Sequence, residues 1–131
     1  MYQTKTCPIE YTFNNIGKKW AINIIRDLTL GRKRFSEFLE ANPKMSAKML
    51  SQRLKELEDG GIIEKTIVGK RPVKIEYALT KTGEDLKKVL KELAVFSMKN
   101  FTKNVIKNPP KEYDDYAGRL TADKKLGISQ T

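Results

Sequence analysis

Apolar side chains recur with helical spacing over most of the first 60 residues. The first such segment covers residues 7–16, where Ile9, Phe13 and Ile16 are spaced i, i+4 and i+7 and therefore share one face. Pro8 stands near its start, and proline is favoured in the first turn of a helix because its missing N–H would have no helical partner there. The pattern predicts a short first helix.

Two more helical segments follow. One extends from Lys18 to Leu30 and stops at Gly31, and a shorter one begins at Phe35. The shorter segment ends at Asn42-Pro43, because a residue that precedes proline is disfavoured in helical conformation. The apolar positions that define these second and third helices are Trp20, Ile24, Ile25, Leu28, Phe35, Phe38 and Leu39.

The fourth segment carries signals at both ends. Ser46 is a favourable N-cap, Met45 before it is placed to pack on Leu50, and Gly60-Gly61 stops the pattern. We therefore predict a fourth helix between Ser46 and Gly60.

Beyond residue 60 the pattern changes from helix to strand and back. Residues 62–68 and 73–79 are rich in β-branched and aromatic side chains and flank the turn-forming residues 69–72, which predicts a β-hairpin. Thr80 then caps a long helix from about Lys81 to Asn100. The apolar stripe of this helix, wide enough to contact a partner, consists of Leu86, Val89, Leu90, Leu93 and Phe96.

These elements predict an α+β, mainly α, fold: four helices, a β-hairpin wing and a long C-terminal helix. Four helices followed by a hairpin, with a short turn between the third and fourth helices, is the order of a winged helix-turn-helix. We expect residues 1–101 to form this domain and residues 102–131 to form a polar C-terminal arm, since little periodicity continues there. A domain this small often completes its core by pairing with a copy of itself, so we expect a homodimer.

The charge of the chain points to a polyanionic partner. With 26 basic and 16 acidic residues the formal net charge is +10, which attracts nucleic acid or an anionic membrane. No stretch approaches the roughly 18 apolar residues of a membrane span, and the first ten residues have no signal-peptide core. We expect a cytoplasmic protein that does not contact membranes.

The composition argues against an enzyme. The chain has no histidine and one cysteine, which leaves no zinc-type ligand set, no internal disulfide and no catalytic triad. It also lacks a glycine-rich phosphate loop and a carboxylate pair in an apolar setting. We expect no metal, no cofactor and no catalytic activity.

The fourth helix has the side chains that DNA recognition needs. If its leucines face inward, its opposite side carries lysine, glutamine and serine, which can contact base edges in the major groove and phosphates beside it. Any amphipathic surface helix presents similar side chains, so this alternative stays open for the helix alone. The predicted base-contacting face of the fourth helix comprises Ser46, Ala47, Lys48, Ser51, Gln52 and Lys55.

Further cations stand where they could contact the DNA backbone. Lys70, Arg71 and Lys74 lie at or near the hairpin tip, within reach of phosphate or the minor groove. Arg34, in a basic run before the third helix, is a further candidate. The alternatives are that lysines on an edge strand prevent aggregation and that the basic run, residues 32–34, is merely solvated.

Three segments together resemble one family of regulators. They are CPIEYTFNNIGKKW, KRFSEFLEANPKMSAKMLSQRLKELEDGGIIEK and IEYALTKTGEDL, within residues 7–101, and they are similar to the HxlR family, a branch of the MarR-like winged-helix regulators. The resemblance implies a homodimer through the first helix and the long C-terminal helix. It also implies that residues 46–55 of the two protomers enter successive major grooves of a pseudo-palindromic operator and that residues 62–79 form the wing.

The resemblance also draws attention to Cys7. The N-terminal cysteine of some family members senses oxidants or electrophiles, and a thiol at a helix N-terminus in a basic protein has reason to be reactive. With a single cysteine, the options are a disulfide between the Cys7 residues of two protomers, an adduct with a small molecule, or a small buried residue without a sensing role. An oxidant or small-molecule effector therefore remains open.

The preferred hypothesis is a sequence-specific DNA-binding transcriptional regulator. The alternative is a non-specific nucleic-acid-binding or architectural protein that uses its basic surface alone. Double-stranded DNA is the expected partner under both.

Overall fold

The predicted order of helices and strands is confirmed in the computed structural model, which describes residues 5–105 and 107. A short final helix lies at the start of the predicted polar arm, and the arm's remaining residues other than 107 lie outside the described part. The elements in chain order are α1 (Pro8–Ile16), α2 (Ala21–Thr29), α3 (Phe35–Ala41), α4 (Ala47–Asp59), β1 (Ile63–Val68), β2 (Lys74–Leu79), α5 (Lys81–Asn100) and α6 (Thr102–Val105).

Helix α2 begins later than predicted. The apolar pattern placed its start at Lys18, but Trp20 has a φ of 76°, in the left-handed region that a right-handed helix cannot include. The first helical residue is therefore Ala21. Hydrophobic spacing alone carries no information about such a backbone reversal, so the predicted boundary was wrong by three residues.

Helix α4 begins and ends as predicted. The Ser46 side chain accepts a hydrogen bond from the backbone N–H of Met49 at 3.1 Å, which satisfies one of the N–H groups left free at a helix start. At the other end the Gly60 N–H donates to the carbonyl of Glu56, and Gly61 follows with a φ of 74°. The two glycines end the helix because Gly61 adopts a conformation that is strained for other residues.

The hydrophobic core lies between α2, α3 and α4. Each of these helices turns its apolar face inward, and burying one such side chain contributes about 1.5–3 kcal/mol. The fully buried side chains at its centre are Ile24, Ile25, Phe38, Leu50, Leu54 and Leu57.

A buried carboxylate links α2 to the turn between α3 and α4. Asp27 is 0 % exposed and accepts hydrogen bonds from Arg26, from Arg32 and, at 2.8 Å, from the side-chain amide of Asn42. Asn42 also donates to the carbonyl of Phe38 at 2.8 Å. Because Asn42 immediately follows α3, this network holds the turn that leads into α4.

The two strands form an antiparallel hairpin, with Ile63 opposite Leu79 at its base and Val68 opposite Lys74 near its tip. The hairpin is attached to the helices at its base. Ile63 is buried, and the Tyr77 N–H donates to the carbonyl of Lys33 at 2.8 Å on the outer edge of β2.

Helix α5 begins at a tightly packed turn. As predicted, Thr80 caps it, since its hydroxyl accepts from the Gly83 N–H at 3.1 Å. A Cβ atom at Gly83 would lie 2.2 Å from the carbonyl oxygen of Ile62, closer than any van der Waals contact. Only glycine fits where this helix passes the base of the hairpin.

The chain divides into two compact units between Gly83 and Glu84. Within the second unit, Phe96 and Phe101 make an edge-to-face contact with ring centroids 6.0 Å apart. Large apolar side chains of α5 remain exposed in the single chain, among them Val89, Leu93 and Phe96. No helix in residues 5–105 is both long enough and apolar enough to cross a membrane.

Candidate nucleic-acid interface

The predicted base-contacting face of α4 lies on the protein surface. Leu50, Leu54 and Leu57 are buried at 0–2 % exposure, so the predicted orientation of the helix is confirmed. The opposite side is open to solvent along its whole length. Its exposed residues are Ser46, Ala47, Lys48, Ser51, Gln52 and Lys55.

Gln52 is not free on this face. Its side-chain amide donates a hydrogen bond to the Glu56 carboxylate at 3.2 Å, one helical turn further on. Exposed pairs at this spacing stabilise a helix by only about 0.2–0.5 kcal/mol. The amide can therefore exchange this bond for one to a base at little cost.

A hydrogen bond and an ion pair join the flank of α4 opposite the hairpin to the connection between α1 and α2. Arg53 donates to the backbone carbonyl of Lys19 at 2.7 Å and pairs with Glu56 at 3.1 Å, and Lys18 pairs with the same carboxylate at 3.5 Å. Burial alone would raise the pKa of Glu56. The hydrogen bond from Gln52 and the charges of Arg53 and Lys18 outweigh it and hold the pKa below its ordinary value of 4.5.

The wing tip presents its cations to solvent. Lys70, Arg71 and Lys74 are exposed, and none of them forms an ion pair within the described part of the chain. The tip turns at Gly69, whose φ of 77° favours glycine. These side chains are available to a polyanion.

The basic run before α3, residues 32–34, forms ion pairs with other parts of the protein. Arg34 and Lys33 both pair with Glu76 of β2, at 3.5 and 3.4 Å, and Arg32 pairs with the buried Asp27. These cations are therefore paired within the protein and remain partly exposed to solvent. Arg34 keeps 41 % of its side chain exposed, so its contact with the DNA backbone stays a prediction.

Cys7 lies exposed at the N-cap of α1, where its carbonyl accepts from the Tyr11 N–H at 3.0 Å. The interpretation of a small buried residue is therefore wrong for the single chain. A sensing role requires access to the thiol, and the structure provides it.

Sequence reasoning missed the residues that position α4. Asp27, Arg53 and Lys18 look like ordinary surface charges in the sequence, and their partners lie up to 38 positions away, as the Lys18–Glu56 pair shows. A charged residue on the apolar face of a helix, as Asp27 is beside Ile24 and Ile25, is the signal that could have identified the first of them. Among the described residues no group of three or more metal-ligating side chains is found.

Comparison with known proteins identifies the family. The model of the HxlR-like helix-turn-helix family matches residues 15–105. The HTH-type transcriptional regulator YodB of Bacillus subtilis is 42 % identical over 92 residues, which cover 70 % of this chain and 82 % of YodB.

Solved structures agree with the sequence match. The reduced form of YodB superposes with a TM-score of 0.67 at 41 % identity, covering 72 % of this chain and 94 % of the other. The redox regulator HypR in its oxidised form gives 0.66 at 34 % identity, covering 72 % and 97 %. A MarR-family transcriptional regulator from Enterococcus faecalis V583 gives 0.71 at 27 % identity, covering 79 % and 94 %.

A family match over most of the described chain, a hairpin wing beside an exposed helix and several regulators of the same fold support one conclusion. The chain is a DNA-binding winged helix-turn-helix protein, not an enzyme, and belongs to the HxlR-like family of transcriptional regulators.

Proposed function

We propose that this regulator acts in the cytoplasm as a homodimer that binds a pseudo-palindromic operator, with α4 of each protomer in the major groove. The observation that carries the proposal is the two-sided character of α4: its leucines are buried and all of its predicted base-contacting residues are exposed. Two-fold symmetry then sets the half-sites about one helical turn, roughly 34 Å, apart.

Within this proposal the exposed side chains divide by role. Gln52 is suited to contact adenine, because its amide offers a donor and an acceptor side by side, and Lys48 and Lys55 can donate to guanine or phosphate. Lys70, Arg71, Lys74 and Arg34 would contact the backbone, which positions the protein without selecting sequence.

The proposed dimer uses α1 and α5. Each of these helices exposes large apolar side chains in the single chain, and contiguous exposed apolar surface is typical of interfaces. On α1 they include Ile9 and Phe13, which are 69 % and 52 % exposed, and on α5 they include Phe96, which is 58 % exposed.

We further propose that Cys7 makes the regulator responsive to oxidants. HypR is described as a redox regulator, and YodB has been solved in a reduced form. With one cysteine per chain, oxidation can join Cys7 to Cys7 of a second protomer or to a small thiol, with loss of two electrons and two protons to the oxidant in either case.

Binding to selected and scrambled DNA tests the proposed roles. An operator would be obtained by selection from random-sequence DNA. Gln52→Ala should then lose discrimination at one base position, at a cost of about 1–3 kcal/mol, because its hydrogen bonds go to a base edge.

Arg71→Ala is the matched comparison, because a backbone contact should weaken operator and scrambled duplexes alike. If both substitutions affected the two duplexes equally, the assigned roles would be wrong. If the selection enriched no sequence, and operator and bulk DNA were bound within about tenfold, non-specific binding would replace the proposal.

A further inference from the structure

A groove of about 190 Å³ separates α4 from the wing. It has a buried floor at Leu54, which is 2 % exposed, and polar walls. The walls combine two residues of the base-contacting face with residues that the sequence did not single out. The lining residues are Ser51, Leu54, Lys55, Glu58, Lys65 and Tyr77.

The two walls come from regular elements, so their side chains are held in register. Ser51, Lys55 and Glu58 are spaced i, i+4 and i+7 and form one stripe along α4. Lys65 and Tyr77 are directly opposite each other in the hairpin and therefore share the face that lines the groove.

The groove is rich in hydrogen-bond donors that are not used within the protein. Neither Lys55 nor Lys65 forms an ion pair within residues 5–105. The side-chain hydroxyls of Ser51 and Tyr77 make no hydrogen bond in the same part of the chain. Burial, and secondly the charge of Glu58, raises the pKa of Tyr77 above its ordinary value. A tyrosine hydroxyl is protonated near neutral pH in any case and can donate.

The position of the groove relative to DNA follows from the width of the helix. An α-helix with its side chains is about 10–12 Å across, and the major groove of B-DNA is about 12 Å wide. A helix that occupies the major groove therefore has a sugar–phosphate backbone against each flank. The stripe of Ser51 and Lys55 forms the flank of α4 on the wing side.

We propose that this groove binds a backbone phosphate of DNA, with Lys65 and Tyr77 as phosphate ligands together with Ser51 and Lys55. The inference rests on the proposed placement of α4 in the major groove and adds two contacts to it. Glu58 opposes the phosphate by like-charge repulsion. The net attraction of the groove comes from two ammonium groups against one carboxylate.

The test uses two duplexes of equal length, the selected operator and a scrambled sequence, over a series of salt concentrations. Lys65→Gln should weaken binding to both by about tenfold and lower the slope of log K against log salt by about 0.9, since one phosphate contact is lost. Tyr77→Phe should weaken both by about threefold without changing the slope, because a neutral donor releases no counterion.

Glu58→Gln should have the opposite sign, strengthening binding to both duplexes by about threefold, because a charge that repels the phosphate is removed. Two exposed residues of α5 supply matched controls for the change in net charge. Lys88→Gln and Glu92→Gln should leave both affinities within about twofold of the parent.

The proposal is overturned if Lys65→Gln binds both duplexes like Lys88→Gln, or if the loss is confined to the operator. A circular dichroism spectrum of each variant separates a lost contact from a lost fold. Because the scrambled duplex reports phosphate contacts alone, the test gives an answer even where base-specific binding, and with it the proposed operator recognition, fails.

Discussion

At the scale of single residues, Asp27 is the charged residue that is buried among those that the structure describes. It is fully buried, and its carboxylate is satisfied by Arg26, Arg32 and Asn42, which come from α2, the segment after it and the turn before α4. Such a carboxylate stabilises the folded protein only while its hydrogen-bond partners are present, since a buried polar group without partners costs free energy of folding.

We predict that Asp27→Asn destabilises the protein by about 2–3 kcal/mol, because the fully buried amide presents an NH2 group to the donors of Arg26, Arg32 and Asn42 in place of an acceptor. Urea unfolding followed by the fluorescence of Trp20, at fixed protein concentration, measures the change. Asp59→Asn, at the exposed end of α4, is the matched control and should change stability by less than about 0.5 kcal/mol. Equal stability of the two variants would contradict the assigned role.

Local signals explain which residues could be predicted from the sequence. Ser46 and the leucines of α4 act within one helix, so cap and spacing predict them without further knowledge. The position of Trp20 in the left-handed region and the burial of Asp27 depend on contacts between segments. The neighbouring residues specify neither the backbone conformation of Trp20 nor the partners of Asp27, although the place of Asp27 on an apolar helix face indicates that it is buried.

At the scale of elements, the placement of α4 depends on its buried leucines and on polar contacts at one flank. On the side away from the wing, Glu56 joins Arg53 and Lys18 and so ties the helix to the connection that follows α1. The pKa of Glu56 is lowered in the folded protein, so its ionised form is favoured by folding. Its contribution to stability is present above its unfolded pKa and is lost as the pH falls through the lowered value.

We therefore predict that Glu56→Gln is less stable than the parent at pH 7 and that the difference closes as the pH falls below about 4.5. Denaturant unfolding of both proteins between pH 7 and pH 3 gives the comparison. In an Arg53→Gln background the pH dependence of the Glu56→Gln effect should shrink, since part of its cause is gone. A difference that stayed constant with pH would assign the role of Glu56 to packing alone.

At the scale of the whole molecule, charge and apolar surface have separate roles. The net charge of +10 favours DNA without selecting a sequence, whereas selectivity between operators requires two α4 helices at a fixed separation. The exposed apolar side chains of α1 and α5 are the structural features that favour pairing of two chains. The sequence indicated both helices, but a single chain leaves the pairing itself a prediction.

The pairing can be tested with one charge placed on α5. We predict that Phe96→Glu shifts the protein from dimer to monomer in sedimentation velocity at micromolar concentration, because a carboxylate in an apolar interface has no partner. Operator affinity should fall towards that for scrambled DNA, since one protomer contacts a single half-site.

Val73→Glu introduces the same charge at an apolar wing residue that is 61 % exposed, slightly more than the 58 % of Phe96, and should leave the dimer intact. Ile9→Glu on α1 provides a second disruption should Phe96→Glu fail to fold. If Phe96→Glu and Ile9→Glu both remained dimers, the two chains would pair through another surface.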